Sequence, residues 1–296
     1  MKKTVFILSI VAATNTFALC TPDNDTCFDC GTNCIAELTF EDVLQEDGTT
    51  KNVSTFTVYG TGENGAGEMG NYINTYRNPF SPVAGERITK APWAEKIDQI
   101  NNIVITDGIS NVGKRAFTGA QNLDYLELPQ SVQTIDDGAF LDSKLKSVNT
   151  LKNVTSIGHG AFERTRLKSI DLSDDLEKIE IWAFALIYSL KDVFIPDSVT
   201  DIGPNAFHNL SSLKIYCNNI GGRCDELFAE EKNTGIKLKN VIKYEEDDSG
   251  FFLNGKWYES PDDILAGKPI QKRIYTVEEA ALVSKPNGNT FKLRYR

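Results

Sequence analysis

The dipeptide Ala-Phe recurs at an almost constant interval through the middle of the chain, and this repeat constrains the fold more than any other feature of the sequence. The phenylalanines are spaced by 23, 22, 22 and 23 residues and are Phe117, Phe140, Phe162, Phe184 and Phe207. A sequence that resembles itself at a fixed period of about 20 to 50 residues folds as a stack of equivalent units. Because one such unit cannot bury its own apolar residues, each unit must pack against its neighbours.

Other apolar positions keep the phase of the Ala-Phe repeat. Val, Ile or Leu stands seven and four residues before each alanine, and a leucine stands five or six residues after each phenylalanine. In the first four units that leucine opens the pattern L-x-x-[LVI], as in Leu123 and Leu126. With a period of about 20 to 29 residues, this pattern predicts a leucine-rich repeat solenoid of short parallel strands. We expect the strand at L-x-x-L-x-L and an irregular return on the convex side, with Ala-Phe on a short helical turn.

The full repeat units resemble a known family. Residues 154–162 read V-T-S-I-G-H-G-A-F, residues 199–207 read V-T-D-I-G-P-N-A-F, and F-I-P-D-S precedes the latter at 194–198. These units are similar to the BspA-like leucine-rich repeat family, whose units read about x-I-P-x-S-V-T-x-I-G-x-x-A-F. Asp136 and Glu180 depart from this pattern, because they replace its usual glycine.

The segment before the repeats carries a further resemblance. Cys30-Gly-x-x-Cys34, the glycine-containing stretch 57–62 and Ala91-Pro-Trp93 are similar to the module that precedes the repeats in many secreted members of the family. The resemblance implies a secreted or surface binding protein, often associated with bacterial adhesion. It implies no catalytic residues.

The first residues have the pattern of an export signal. Two lysines precede the uncharged apolar run 5–13, and small residues stand at positions 16 and 18. This arrangement predicts a secretory signal peptide over residues 1–18. The apolar run is too short to cross a bilayer, which takes about 20 residues. Lipidation at Cys20 is disfavoured, because the preceding Leu19 is not small. We therefore expect a secreted or cell-surface protein without a membrane span, with the periplasm as the alternative location.

Charge and motif content argue against several classes of function. Lys and Arg number 31 against 41 Asp and Glu, a net charge of −10, which disfavours nucleic acid as a partner. The two histidines, His159 and His208, are far apart in sequence, so neither a multi-histidine metal site nor a multi-histidine base is expected. The hydrolase, zinc-protease and phosphate-loop motifs G-x-S-x-G, H-E-x-x-H and G-x-x-x-x-G-K-[ST] do not occur. We expect a non-catalytic protein without a cofactor.

The cysteines form a crowded N-terminal group and a distant pair, and they are Cys20, Cys27, Cys30, Cys34, Cys217 and Cys224. Export makes disulfides available, and the even number fits a disulfide framework. We expect a Cys217–Cys224 bridge, whereas the N-terminal four allow three connectivities. Two alternatives are a zinc site, although the spacing matches no common zinc module, and a redox pair at Cys27 and Cys30.

The flanks of the repeat predict a three-part organisation after the signal peptide. We expect a β-rich, cysteine-containing cap over 19–99, leucine-rich repeats over 100–217 and a small α+β capping module over 218–296. The cap contains an alternating strand at Thr55–Tyr59 that glycine-rich turns follow. In the last part, Asn254-Gly255 predicts a hairpin between two short strands. A capped helix at 276–283 and a closing strand at 291–296 complete the module.

The strand register predicts a binding surface. Residues at the x positions of L-x-x-L-x-L face outward on the concave sheet. Among these are Asp124, Tyr125, Glu127, Lys146, Lys168, Asp171, Lys191, Asp192 and Phe194.

The lysines of this surface stack in one column, at about 5 Å per strand, where like charges repel one another. One interpretation is that Asp171 and Asp192 offset the three lysines. The other is an acidic protein partner across the column, with Tyr125 and Phe194 as aromatic anchors. Two alternatives are a glycan ligand, although few concave aromatic residues are available to stack on sugar rings, and a secreted enzyme with its site in a flank.

Overall fold

The computed structural model describes residues 25–45, 47–72, 90–247, 250–254 and 256–269. The predicted signal peptide, Cys20, the helix at 276–283 and the strand at 291–296 lie outside the described residues. Within the described ranges no helix is long and apolar enough to cross a membrane.

Most of the regular structure in this part of the chain is strand. The strands are β1 (Cys27–Thr32), β2 (Cys34–Leu44), β3 (Thr50–Gly60), β4 (Glu68–Met69), β5 (Asn102–Ile105), β6 (Asn111–Val112), β7 (Tyr125–Glu127), β8 (Thr134–Ile135), β9 (Ser147–Val148), β10 (Ser156–Ile157), β11 (Lys178–Ile179), β12 (Asp192–Ile195), β13 (Asp201–Ile202), β14 (Lys214–Asn218), β15 (Val241–Asp247), β16 (Gly250–Leu253) and β17 (Lys256–Tyr258). The α-helices are α1 (Arg223–Leu227) and α2 (Pro261–Leu265). Short 3-10 segments lie at Glu63–Gly65, Ala94–Gln99, Ile220–Gly222, Glu230–Lys232 and Leu238–Asn240.

The strands confirm the predicted leucine-rich repeat solenoid. The leucine strands β5, β7 and β9 pair in parallel with one another, and β12 and β14 pair in parallel further along the stack. Leu123, Leu126 and the equivalent leucines point into a continuous core and are fully buried. We call the outer side of these strands the leucine-strand face.

A second parallel sheet runs along the segment that we expected to be an irregular return. Its order is β13-β11-β10-β8-β6, so each coil contributes one two-residue strand. Ile135 lies beside Ile157, and Ile157 lies beside Ile179, one repeat further along the chain. Each coil therefore has a second strand, formed where the apolar residue four positions before the alanine turns inward.

The Ala-Phe dipeptide does not lie on a helical turn, which corrects the prediction. It lies between two residues of left-handed backbone, one two positions before and one two positions after each phenylalanine. These residues are Arg115, Gly119, Gly138, Asp142, Gly160, Arg164, Trp182, Leu186, Asn205 and Asn209. Left-handed residues interrupt a right-handed helix, so the segment forms consecutive tight turns instead.

The turns bring the phenylalanines into one column. The Phe117 N–H donates to the carbonyl oxygen of Ala139 in the next coil, and Phe140 donates likewise to Ala161, both at 2.8 Å. Successive rings are then 5.5 to 5.6 Å apart and nearly parallel, with interplanar angles of 3 to 13°. All five rings are fully buried. This confirms the predicted packing of the phenylalanines between coils.

The N-terminal segment continues the stack. The strand predicted at Thr55–Tyr59 is confirmed within β3, and its residues Thr55–Val58 pair in parallel with β5. The predicted turns follow, and they pass very close to the neighbouring backbone. A Cβ atom on Gly60 would lie only 1.5 Å from the carbonyl oxygen of Gly65, so only glycine fits there.

The C-terminal segment continues the stack at the other end. β14 pairs in parallel with β15, and the Phe207 N–H donates to the Thr234 carbonyl oxygen at 3.0 Å. The parallel sheet therefore extends beyond Cys217. β16 and β17 pair antiparallel on either side of Asn254, which confirms the two predicted strands, and Gly255 lies outside the described residues.

The leucine-strand sheet is interrupted between β9 and β12. Residues 167–172, where the pattern predicts a strand, do not form one. Leu145 and Leu167 follow their phenylalanines by five residues, whereas the equivalent leucines of the other coils follow by six. The shorter connections coincide with the two-residue β9 and with the missing strand.

Two disulfides are present in the described part of the chain. Cys217 and Cys224 form the predicted bridge, and Cys30 is bonded to Cys34. Cys27 is also disulfide-bonded. The Cys30–Cys34 bond selects among the three N-terminal connectivities and is incompatible with a zinc site or a Cys27–Cys30 redox pair.

Candidate functional site

Seven of the nine predicted binding residues lie in or directly before a strand of the leucine-strand face. Tyr125 and Glu127 belong to β7, and Asp124 immediately precedes that strand. Lys146 precedes β9, whereas Lys191 precedes β12, which contains Asp192 and Phe194. Lys168 and Asp171 lie in the coil that forms no leucine strand, and both are exposed.

The lysines of this face differ in their neighbours. Lys146 forms an ion pair with Asp124, at 2.5 Å between Nζ and the carboxylate oxygen. Lys191 Nζ lies 3.5 Å from the carbonyl oxygen of Tyr188. Neither Lys168 nor Lys191 forms an ion pair with a described residue, and both are exposed. Direct ion pairs with Asp171 or Asp192, one of the two interpretations of the lysine column, are therefore not formed.

Tyr125 lies on β7 and faces the same side of the sheet. It is partly buried, and burial raises the pKa of its hydroxyl, with a smaller contribution from the nearby Glu127 carboxylate. The ring therefore offers an apolar surface and a neutral hydroxyl to the face of the sheet.

Phe194 belongs to an aromatic cluster at the C-terminal end of the face. Its ring stacks on Tyr216 with centroids 4.6 Å apart, and Tyr244 follows at 6.3 Å. Burial raises the pKa of Tyr216 to about 12, with the neighbouring Asp192 carboxylate contributing. Tyr216, Tyr244 and residues of β16, β17 and α2 form a second apolar core, against which Phe194 packs. The C-terminal segment thus shares this end of the predicted face.

The comparison with protein families settles the nature of the repeats. Residues 88–214 match the model of the BspA type leucine rich repeat region, in six copies. The repeat region belongs to the BspA-type leucine-rich repeat family. This assignment confirms the resemblance that the Ala-Phe units carry, and the family indicates a protein-interaction or surface role. The sequence has no significant match among curated proteins.

The solved structures that the chain matches are bacterial leucine-rich repeat proteins. A leucine-rich repeat protein from Eubacterium ventriosum has 20% identity and a TM-score of 0.47, with 77% of this chain and 48% of that chain covered. A leucine rich cell surface protein from Faecalibacterium prausnitzii has 19% identity and a TM-score of 0.32, with coverage of 72% and 58%. The T. pallidum leucine rich repeat protein has 19% identity and a TM-score of 0.29, with coverage of 69% and 78%. This chain spans about half the length of the first of these structures.

An open polar groove of about 680 Å³ lies between the second sheet of the BspA-type repeats and the loops that precede it. It is lined by Gln133, Asn153, Thr155, Asp174, Asp175, Glu177, Ser198 and Thr200. Across the residues that the structure describes, no group of three His, Cys, Asp or Glu side chains is placed to hold a metal ion. The groove therefore offers hydrogen-bonding groups and negative charge.

The structure also reveals aromatic residues on the turn side of the BspA-type repeats that sequence reasoning missed. Tyr188 is 65% exposed, and its Oη accepts a hydrogen bond from Asn209 Nδ2 at 3.0 Å. The Trp182 ring lies 5.0 Å from the His208 imidazole. The strand columns gave no signal for these residues, because they belong to the turns between the strands.

Proposed function

We propose that this protein is exported and acts outside a cell or at its surface as a non-catalytic recognition protein, which binds an acidic segment of a protein partner on the leucine-strand face. The observation that carries the proposal is the pair of exposed lysines, Lys168 and Lys191, that form no ion pair with a described residue. Lys146 extends the positive region by one coil.

Electrostatics supports an acidic ligand at this place. The chain has a net charge of −10, so a cluster of lysines here is a local exception on an acidic molecule. Like charges on neighbouring coils repel one another at the spacing of strands, about 4.8 Å. Carboxylates from a partner would relieve this repulsion, while the partly buried Tyr125 ring provides an apolar contact beside them.

The location and the absence of catalysis rest on separate arguments. The residue pattern of 1–18 is that of a cleaved export signal, and disulfides such as Cys217–Cys224 persist in oxidising compartments. Repeat solenoids bind partners through extended surfaces rather than through enclosed clefts. The open leucine-strand face is such a surface.

The test is a binding experiment with the mature chain, residues 19–296, against host and bacterial surface extracts. The variant Lys146→Ser, Lys168→Ser, Lys191→Ser should lose the partner, and the interaction should weaken as salt is raised. A matched control replaces Lys114, Lys178 and Lys232 by serine. This variant loses the same charge, but each of these lysines already has a carboxylate partner in the structure. A partner that both triple variants retain would place the recognition site elsewhere.

A glycan ligand is the second candidate, and the exposed ring of Tyr188 favours it. Aromatic faces with hydrogen-bonding neighbours stack on sugar rings, and the Asn209 amide holds this ring in place. Binding of oligosaccharides, measured by calorimetry, should disappear in Tyr188→Ala and persist in the triple lysine variant. The reverse result would exclude this site.

A further inference from the structure

The hairpin of β2 and β3 extends beyond the core of the solenoid. Its inner half is buried, but every residue from Thr39 to Leu44 is exposed, as are residues 50–52. We call residues 39–44 and 50–53 the hairpin arm. The arm contains three of the large apolar side chains that are most exposed in the described structure, with Phe40 at 48%, Val43 at 37% and Leu44 at 73%. Apolar side chains that cluster on an exposed sheet element mark interaction sites.

One edge of the arm offers unpaired backbone groups. The Leu38 N–H points to the β1 side and donates to Thr26 at 2.8 Å, whereas the Gln45 N–H points to β3 and donates to Thr49 at 2.7 Å. Because N–H groups alternate along a strand, those of Phe40, Asp42 and Leu44 point away from β3. Among the described residues, no strand pairs with β2 beyond Leu38. This edge is therefore a template for a further strand.

The charges of the edge exclude a second copy of the same strand as its occupant. Glu41 and Asp42 are adjacent at the middle of the exposed stretch, between Phe40 and Val43. Residues directly opposite each other in an antiparallel pair either both point their N–H groups at the other strand or both point them away, so two copies of β2 paired about this centre would place Asp42 opposite Asp42 or Glu41 opposite Glu41. Like charges directly opposite one another destabilise a pair of strands. Acidic residues on an edge thus prevent self-association while leaving it open to a basic strand.

We propose that the β2 edge of the hairpin arm binds an extended segment of a protein partner as an additional antiparallel strand. Direct cross-strand pairing specifies the segment, because each of its residues faces one residue from Leu44 back to Phe40. The complementary pattern is apolar, apolar, basic, basic, apolar. The backbone hydrogen bonds supply affinity, and the two basic residues opposite Asp42 and Glu41 supply selectivity. This site is separate from the leucine-strand face and does not depend on it.

The experiment measures binding of a labelled peptide with the core Leu-Val-Lys-Arg-Phe to the mature full chain by fluorescence anisotropy. Asp42→Pro removes an outward N–H of the β2 edge without removing a hydrogen bond between β2 and β3. Asn52→Pro is the matched control, because Asn52 lies directly opposite Asp42 and its outward N–H belongs to the β3 edge. Both variants also lose the 2.9 Å side-chain hydrogen bond between Asn52 and Asp42, so that loss cancels.

We expect Asp42→Pro to weaken binding by at least about tenfold, because proline on an edge strand blocks pairing, while Asn52→Pro stays within about twofold. Phe40→Ser with Leu44→Ser should also weaken binding, and thermal unfolding of all variants verifies that the solenoid is intact. The proposal is wrong if the wild-type chain does not bind the peptide, if both proline variants lose binding equally, or if the peptide binds as tightly with glutamates in place of lysine and arginine. Sedimentation that shows a dimer of the wild-type chain, lost in Asp42→Pro, would make a second copy the occupant instead.

Discussion

The repeat coils and the two flanking segments continue one stack with different sequences. Within the repeats, every coil places a phenylalanine in the column and donates its N–H to the next coil. At the N-terminal end Trp93 takes the next place in the column, with its ring stacked 5.7 Å from Phe117. At the C-terminal end the Thr234 carbonyl accepts the Phe207 N–H without an Ala-Phe motif. The hydrogen bonds between coils therefore continue where the Ala-Phe motif does not. A flank needs to cover only the one end coil that it contacts, so it does not need the repeated sequence.

The largest effect should come from the middle of the phenylalanine column. Phe162 is fully buried between two rings at 5.5 and 5.6 Å, so Phe162→Ala leaves a cavity that neither neighbour can fill. We expect a loss of about 3 to 5 kcal/mol in the free energy of unfolding. Urea unfolding followed by circular dichroism measures it, with the exposed Phe40→Ala as control. A loss below about 1 kcal/mol would mean that the coils adjust independently.

We expect a smaller loss of stability from a substitution at the N-terminal end of the column, where a hydrogen bond is lost rather than a ring. Trp93 is buried, and its Nε1–H donates to the Ala116 carbonyl oxygen at 2.8 Å. Trp93→Phe keeps an aromatic ring in the column but leaves that buried carbonyl without its donor. We expect a loss of about 1 to 3 kcal/mol in the same unfolding assay. If this variant costs as much as Phe162→Ala, the indole ring itself, rather than its hydrogen bond, holds the cap.

Alanine substitutions at two glycines, one in a repeat and one in the C-terminal flank, compare the two regions directly. Gly160 lies in a repeat turn at a φ of +60° and Gly235 in the flank at +83°, so alanine is strained at both. A Cβ at Gly160 would meet nothing closer than a flexible Glu163 carboxylate oxygen at 3.3 Å, whereas a Cβ at Gly235 would lie 2.8 Å from the His208 backbone. We expect Gly160→Ala to cost about 1 kcal/mol and Gly235→Ala at least about 2 kcal/mol by thermal unfolding.

A larger loss of stability for Gly160→Ala than for Gly235→Ala would show that the flank separates easily from the last coil. Gly160→Asn serves as a control for backbone strain, because asparagine tolerates the left-handed conformation better than alanine does. It should therefore destabilise the protein less than Gly160→Ala.

The sequence predicted most of the elements that carry a repeated pattern or a short local signal. The leucine strands, the phenylalanine packing and the hairpin around Asn254 follow from patterns of a few residues. The second sheet escaped prediction because a two-residue strand such as Thr134–Ile135 is too short to show an alternating pattern. The tight turns escaped because their left-handed positions carry residues as different as Arg115, Gly160 and Trp182, which share no sequence signal.

The sequence could predict which residues of the candidate face point outward, but not which later strands would pack against them. The outward x positions were assigned from the period of a strand, and Lys168 and Lys191 are exposed there. The covering of Phe194 by Tyr216 and Tyr244 depends on strands from two later coils and on a hairpin further along the chain. The hairpin arm gave no signal either, because its exposed phenylalanine and leucine resemble core residues until the length of the hairpin is known.

The smallest effect should come from a buried acid within the repeats. Glu163 follows Phe162 directly, at the position that neutral residues Thr118 and Ala185 hold in other coils, and only 7% of it is exposed. Burial raises the pKa of its carboxyl, and the Arg164 guanidinium, 3.7 Å away, opposes that effect only in part. The folded state therefore holds this proton more tightly than the unfolded state does.

A raised pKa in the folded state makes stability fall as the pH rises from the ordinary carboxyl pKa through the raised one. Glu163→Gln removes this penalty, so the variant should match the wild type in acid and exceed it at neutral pH by about 1 kcal/mol or less. Thermal unfolding across that pH range measures the difference, with the exposed Glu177→Gln as control. Parallel profiles for the wild type and Glu163→Gln would mean that Arg164 fully compensates the buried charge, and this position would then tolerate an acid as well as it tolerates the neutral Thr118 of an earlier coil.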